Sequence, residues 1–254
     1  MSRSSKKPSI RELVLFPFLI IFVGMVIYLA WVVLQEPVLS LISSLVLSFG
    51  FLLLIWRYSN LIVRAQKKGL LLFTLGLIFL MAGLVAIVLA GGVHSYLESV
   101  GISESYMSVK IAPLTEEAFK IIGVLIVAHG FMKKKSKNIL WILVVGGIVV
   151  GLTFGFAETL GDQEYRAHFL ERLFTSIPQH GLLTAMVAAA MYFPLEEYPN
   201  KRTSPVLFLA IYFIASIWHS WWNSSVLPEP LRWIAFPVVA GLIFLSILKL
   251  RSSK

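Results

Sequence analysis

The chain of 254 residues is 58% hydrophobic and 14% charged, with a mean hydropathy of +0.85. A soluble domain carries nearer about 25% charged residues, so most of this chain belongs in lipid and its length does not count soluble domains. The formal charge of +9 lies in short basic runs between apolar spans, which argues against nucleic acid, and the lack of cysteine excludes a disulfide, a thiolate nucleophile and a cysteine-type zinc site.

A membrane helix needs about 20 apolar residues. The first candidate, 13–34, follows a leader bearing Arg3, Lys6, Lys7 and Arg11. It is longer than the apolar region of about 7–15 residues in a signal peptide, so it reads as a retained anchor. The next spans are about 38–56 and 70–92; the latter carries Gly69, Gly76 and Gly83 every seven residues in and beside it, assigned to packing. A polar connection over 93–112, with Glu98, Glu104 and several serines, reads as an interfacial segment containing His94. Spans at about 113–131, 139–160, 176–193, 206–225 and 231–249 complete the set; Pro178 and Pro237 soften the boundaries of the sixth and eighth.

The sequence thus predicts an all-α, polytopic membrane protein of about eight transmembrane helices forming one integral-membrane domain over 1–254. With the N-terminus inside, 17 Lys and Arg residues fall on the inner side and 4 on the outer, with Lys120 left within a span. The positive-inside rule then places both termini in the cytoplasm.

That order of spans brings polar side chains to one depth. Glu116, Glu117 and Lys120 lie near the start of the fourth span, Glu158 near the end of the fifth, His180 near the start of the sixth, and His219 and Asn223 near the end of the seventh. At about 1.5 Å per residue, all fall within roughly 10 Å of the outer boundary. Each ionised group costs about 2.5–3.5 kcal/mol at a helix centre, so several at one level point to a shared polar site. Glu116 and Lys120 are four residues apart and share a face, as do His219 and Asn223. Gly147, Gly151 and Gly155 form a row that admits a neighbouring helix and turns Glu158 toward the bundle. His94, His129 and His168 read as packing or loop residues, and Trp221 and Trp222 as anchors or walls of the site.

The chemistry open to these residues is limited. Asp162 is the only aspartate, which excludes a paired-aspartate protease, and neither G-x-S-x-G nor H-E-x-x-H occurs. A carboxylate in a low-dielectric cleft can take a proton from water, and a second can hold the returning proton. His and Asn can donate to an oxyanion. Alternatively His180, His219 and Glu116 supply three ligands for zinc and leave a fourth position for water. Buried Glu, Lys and His also serve proton-coupled transporters.

Glu116-Glu117-x-x-Lys120, Phe154-x-x-x-Glu158, His180 and His219-x-x-x-Asn223 together resemble the PrsW family of intramembrane proteases. That family is related to the CAAX prenyl endopeptidases and bacteriocin-processing enzymes. It is more distantly similar to the noncatalytic multi-pass scaffold of gamma-secretase. The likeness covers about 113–225. It implies hydrolysis of a peptide bond in a membrane-anchored protein near the outer face, with Glu116 activating water and Glu117 assisting. In the same reading His219 and Asn223 stabilise the oxyanion. The family's link to anti-sigma-factor processing implies that kind of partner, in a prokaryotic cytoplasmic membrane. Glu158 stands where the CAAX enzymes have histidine, a departure that bears on transferring their mechanism and their prenylated substrates. A proton-coupled transporter and a noncatalytic scaffold are the competing classes.

Overall fold

Runs of Leu, Ile, Val and Ala leave no side chain to satisfy backbone polar groups, and lipid offers no water to do so; the helix closes those bonds within the segment. The computed structural model describes residues 37–65, 68–132, 139–197 and 203–224, with single helical positions at 238, 241 and 245. No strand occurs among the described residues. The helices are α1 (Pro37–Ala65), α2 (Lys68–Ser99), α3 (Glu104–Tyr106), α4 (Ala112–Met132), α5 (Ile139–Gly161), α6 (Gln163–Ala167), α7 (Phe169–Phe174), α8 (Ser176–Ala190) and α9 (Thr203–Ser224). A π-helical segment, Met107–Ile111, joins α3 to α4, and another, Phe193–Glu197, follows α8. The expected spans at 13–34 and 231–249 lie outside the described residues, apart from those three single positions.

Four of the described helices are long and apolar enough to cross a membrane: Val38–Ile55, Ile78–Ser99, Ile139–Gly161 and Ser204–Ser224. Two expected spans depart from that standard for physical reasons. In α4, three charged residues interrupt the apolar sequence, while α8 has only 15 residues. The expected third span also ends later than 92. Its helix runs through His94 to Ser99, so only a short stretch remains of the polar connection.

Packing inverts the polarity of a soluble protein. Leu45, Phe49, Leu80, Trp141, Val145, Phe213 and Ile217 are exposed on the outside, whereas Glu116, Glu117, Lys120, His180 and His219 are buried. An apolar exterior of this extent marks a surface covered by lipid. At the centre stands α8, with 13 of its 15 residues buried, including Leu183, Val187 and the run Ala188–Ala190. Pro178 sits in its first turn, where a missing N–H costs little.

The most extensive helix contact is between α5 and α8, and the glycine row of α5 explains it. A Cβ at Gly147 would approach the Ala185 Cα to 2.5 Å, one at Gly151 would strike the His180 carbonyl, and one at Gly155 would lie 2.6 Å from the His180 ring. Close approach of backbones is what small residues permit. It also sets His180 directly against α5. On α2, Gly83 meets Thr153 and Val150 of α5, and Gly92 meets Ser44 of α1, but a Cβ at Gly76 would touch nothing within 4 Å. The seven-residue glycine period on that helix is therefore only partly a packing device.

Gly151→Val should destabilise the protein by at least about 1–3 kcal/mol, since a branched side chain has only backbone to displace. Gly76→Ala should stay within about 0.5 kcal/mol of the original. Thermal unfolding in detergent micelles measures both, and equal effects would contradict the close α5–α8 contact.

Candidate active site

Each polar side chain of the site sits near a helix end, and all these ends meet at one level: the start of α4, the end of α5, the start of α8 and the end of α9. Two polar ties dock α9. The Tyr212 hydroxyl donates to the Leu114 carbonyl at 2.6 Å, and the Asn223 amide donates to the Ser108 carbonyl at 2.8 Å. They flank His219 and hold it over α4.

At the centre lies Lys120, with no exposed surface. Its ammonium donates to Glu117 Oε1 at 2.8 Å and to His180 Nδ1 at 2.9 Å, and stands 4.2 Å from the Phe154 ring centroid. An ammonium has no acceptor. His180 Nδ1 therefore accepts, and Nε2 carries the proton that it donates to Glu158 Oε2 at 3.2 Å. Glu158 also accepts from Arg172 at 2.6 Å. The sequence pattern pairs Lys120 with Glu116, but that separation is 3.8 Å; the closer partner is Glu117, one residue nearer in sequence, at 2.8 Å.

The two adjacent glutamates differ sharply in surroundings. Glu117 is sealed. Its Oε1 faces Lys120 and His219 Nδ1, the latter at 3.3 Å, and its Oε2 accepts from Thr184 at 3.4 Å. Glu116 is 6% exposed; its Oε2 accepts no hydrogen bond and lies 3.8 Å from His219 Nε2. One residue of sequence is about 100° of helix, enough to lock one carboxylate in the protein and leave the other on a cleft.

That cleft has a volume of about 400 Å³. Glu116 and Glu158 lie on it, with Ile87, Ala90, Met107 and Phe154 as apolar wall and Asn223 at its side. Tyr165 of α6 also lines it, and burial pushes that phenol above its ordinary range.

Glu116, His180 and His219 each offer a ligand atom, all within 4.8 Å of one another. Nitrogen and oxygen donors of this kind suit zinc, whose ligands lie about 2.0–2.2 Å from the ion. The Oε2 of Glu116 accepts no hydrogen bond, its nearest charged neighbours being Lys120 Nζ and His219 Nε2 at 3.8 Å, so it is open to a metal. The residues present thus fit a metal. His180, however, has both ring nitrogens engaged, so one of its hydrogen bonds would give way on binding.

The structure gathers Glu116, Glu117, Lys120, Glu158, His180 and His219 into one connected cluster, and sets Asn223 on the cleft bonded to Ser108. Three participants were not among the site residues expected from the sequence. Arg172, expected as a loop cation, also donates to Thr159 Oγ1 at 3.0 Å and stacks on Tyr165 at 3.7 Å. Thr184 is four residues past His180 on α8, a spacing that could have marked it. His94, expected in a loop, is on α2, lines the cleft and lies 2.9 Å from Thr115 Oγ1. By contrast His168 is exposed beside Glu171, and His129 is half-buried at the far end of α4.

Lys120→Met should cost about 3–5 kcal/mol of stability, because it leaves Glu117 as a buried charge without its cation. Adding Glu117→Gln should recover a substantial part. A double-mutant cycle of thermal unfolding checks this; strictly additive losses would rule out the pairing.

Comparison with known proteins adds the family. No curated protein and no solved structure matches the chain. The model of the PrsW family intramembrane metalloproteases matches residues 66–248, a stretch that holds every residue of the cluster. The chain belongs to the PrsW family of intramembrane metalloproteases.

Proposed function

We propose that this protease hydrolyses a peptide bond of a membrane-anchored protein inside the cleft, with Glu116 as the base. The observation that carries the reading is the contrast between the two glutamates: only Glu116 combines an oxygen free of hydrogen bonds with access to the cleft. Its carboxylate takes a proton from water, and the water oxygen attacks the scissile carbonyl carbon. The C–N bond then breaks as Glu116 returns the proton to the leaving amine. Glu117, fixed by Lys120 and Thr184, lies 3.3 Å from His219 Nδ1 and keeps the ring beside Glu116, whose Oε2 is 3.8 Å from Nε2. His219 and Asn223 donate to the oxyanion; one amide hydrogen of Asn223 is committed to Ser108 and the other remains for substrate. Glu158 fixes the tautomer and orientation of His180.

In the alternative, metal-assisted form, Glu116, His180 and His219 would hold zinc, and Glu116 and His219 would then serve as ligands instead of as base and oxyanion donor. Bound there, zinc supplies Lewis-acid polarisation of the carbonyl and of water. The family assignment favours proteolysis over the transporter and scaffold readings of the same side chains. The 17-to-4 charge asymmetry supports about eight spans with cytoplasmic termini, and a cleavage site toward the outer face. The family resemblance points to an anti-sigma factor as substrate and to a prokaryotic cytoplasmic membrane.

Purified protein in liposomes with a membrane-anchored reporter tests this. Glu116→Gln and His219→Ala should each lower cleavage by at least about 100-fold, the scale of losing a general base or an oxyanion donor, while folding is retained by thermal unfolding. Cleavage that survives both substitutions would remove these residues from the mechanism. Loss of activity with a chelator, restored by zinc, supports the metal-assisted form; indifference to the chelator supports Glu116 acting on water alone.

A further inference from the structure

The wall that α2 gives to the cleft changes character along its length. Ala90, His94 and Glu98 follow at four-residue intervals on one face, so about 12 Å of helix runs from an apolar depth to a carboxylate. Opposite, Glu104 and Asp162 stand at the same mouth, and no Lys or Arg lines the cleft. Asp162 is partly used, since its Oδ1 caps α6 by accepting from the backbone of Glu164 and Tyr165. Glu98 and Glu104 are exposed, and neither forms an ion pair among the described residues. Acidic side chains on a surface ordinarily mean only solvation. Here the same cleft also holds the Glu116 carboxylate, more than nine-tenths buried and accepting no hydrogen bond at Oε2. Lys120 lies 3.8 Å from Glu116 and Arg172 pairs with Glu158 at 2.6 Å, but neither cation lines the cleft, so Glu98 and Glu104 face no Lys or Arg across it.

We propose that the cleft selects a substrate segment that carries Lys or Arg at the membrane surface beside an apolar stretch. The basic side chain lies between Glu98 and Glu104, and small or apolar residues enter along Ala90, Met107 and Phe154. This rests on the protease reading of the site and adds its specificity. Lysine and arginine are depleted on the outer side of membrane proteins, so a cationic outer segment is an uncommon feature by which to choose one substrate among many. Gly91 on the same wall is bare, with nothing within 4 Å of where a Cβ would stand, which keeps the passage open.

The experiment uses the full chain in liposomes of zwitterionic phosphatidylcholine. Three membrane-anchored reporters differ only in a pair of Lys, Ser or Glu residues just outside the anchor. For the unmodified protein, kcat/KM should rank Lys above Ser above Glu, with about a tenfold span at low salt carried mainly in KM. The span should narrow in about 0.5 M salt, where the Debye length falls well below 10 Å. Glu98→Lys with Glu104→Lys should invert the ranking. Glu98→Gln with Glu104→Gln should flatten it, and provides the test where the charge-reversed chain fails to fold. Equal cleavage of all three reporters, or a Lys preference that survives the Gln pair, overturns the cationic specificity and leaves the protease reading standing. Failure to cleave any reporter, with folding intact, removes the reading on which the inference rests.

Discussion

The rest of the site depends on one buried cation. Lys120 has no exposed surface and sits in a bundle whose exterior is apolar. An ammonium removed from water needs hydrogen-bonding anions and acceptors around it or it does not stay ionised. Lys120 finds them on two helices, in Glu117 of its own turn and His180 of α8, with the Phe154 face of α5 completing its surroundings. Three helices are thereby referred to one atom. Through Glu117 the reference extends to His219 on α9, and through His180 to Glu158 on α5. The cost of burying Lys120 is offset only if those four helices arrive in register, so the charge acts as a constraint on packing.

Such a constraint needs close backbones, and the glycine row of α5 supplies them. With a Cβ at Gly151 or Gly155, α8 could not come near enough for His180 to reach Lys120 on one side and Glu158 on the other. Packing and electrostatics are therefore not separable terms here. The glycines give up side-chain contacts that other residues would make, and the gain appears as hydrogen bonds between helices, which in a membrane contribute about 1 kcal/mol each.

Much of this was legible in the sequence because lipid makes polar residues conspicuous. Span order plus helical rise placed Glu116, Glu158, His180 and His219 at one level, and they meet there. The glycine spacing named the face of α5 that packs. Pairing inside the cluster was less legible. Helical spacing allows Lys120 to reach Glu116 or Glu117 equally, and only the position of His219 and Thr184 decides for Glu117. Arg172 could not be read at all, since it reaches Glu158 across two short helices and a turn, with no periodicity to report it. His94 was missed because hydropathy falls before the helix ends; α2 continues to Ser99 through residues polar enough to look like a loop. The helices α4 and α8 show the converse. α4 falls below the standard of a lipid-facing span because it carries three charged residues of the site, and α8 because it is short and buried at the centre of the bundle.

The path from Arg172 to Glu116 runs through every charged group of the cluster: Arg172, Glu158, His180, Lys120, Glu117, His219 and then the cleft-facing carboxylate. Arg172 comes from α7, whose Leu170 and Phe174 are each 72% exposed. A short helix with apolar side chains on the outside and a guanidinium turned inward is held at both surfaces, by lipid on one and by Glu158 and Thr159 on the other. Its hold on Glu158 also fixes His180, because the two share the same carboxylate oxygen. The outermost element of the site and its deepest cation are thus coupled through a single imidazole. Moving α7 away from Glu158 would disturb the orientation of His180 before it disturbed Glu117, which has partners enough of its own.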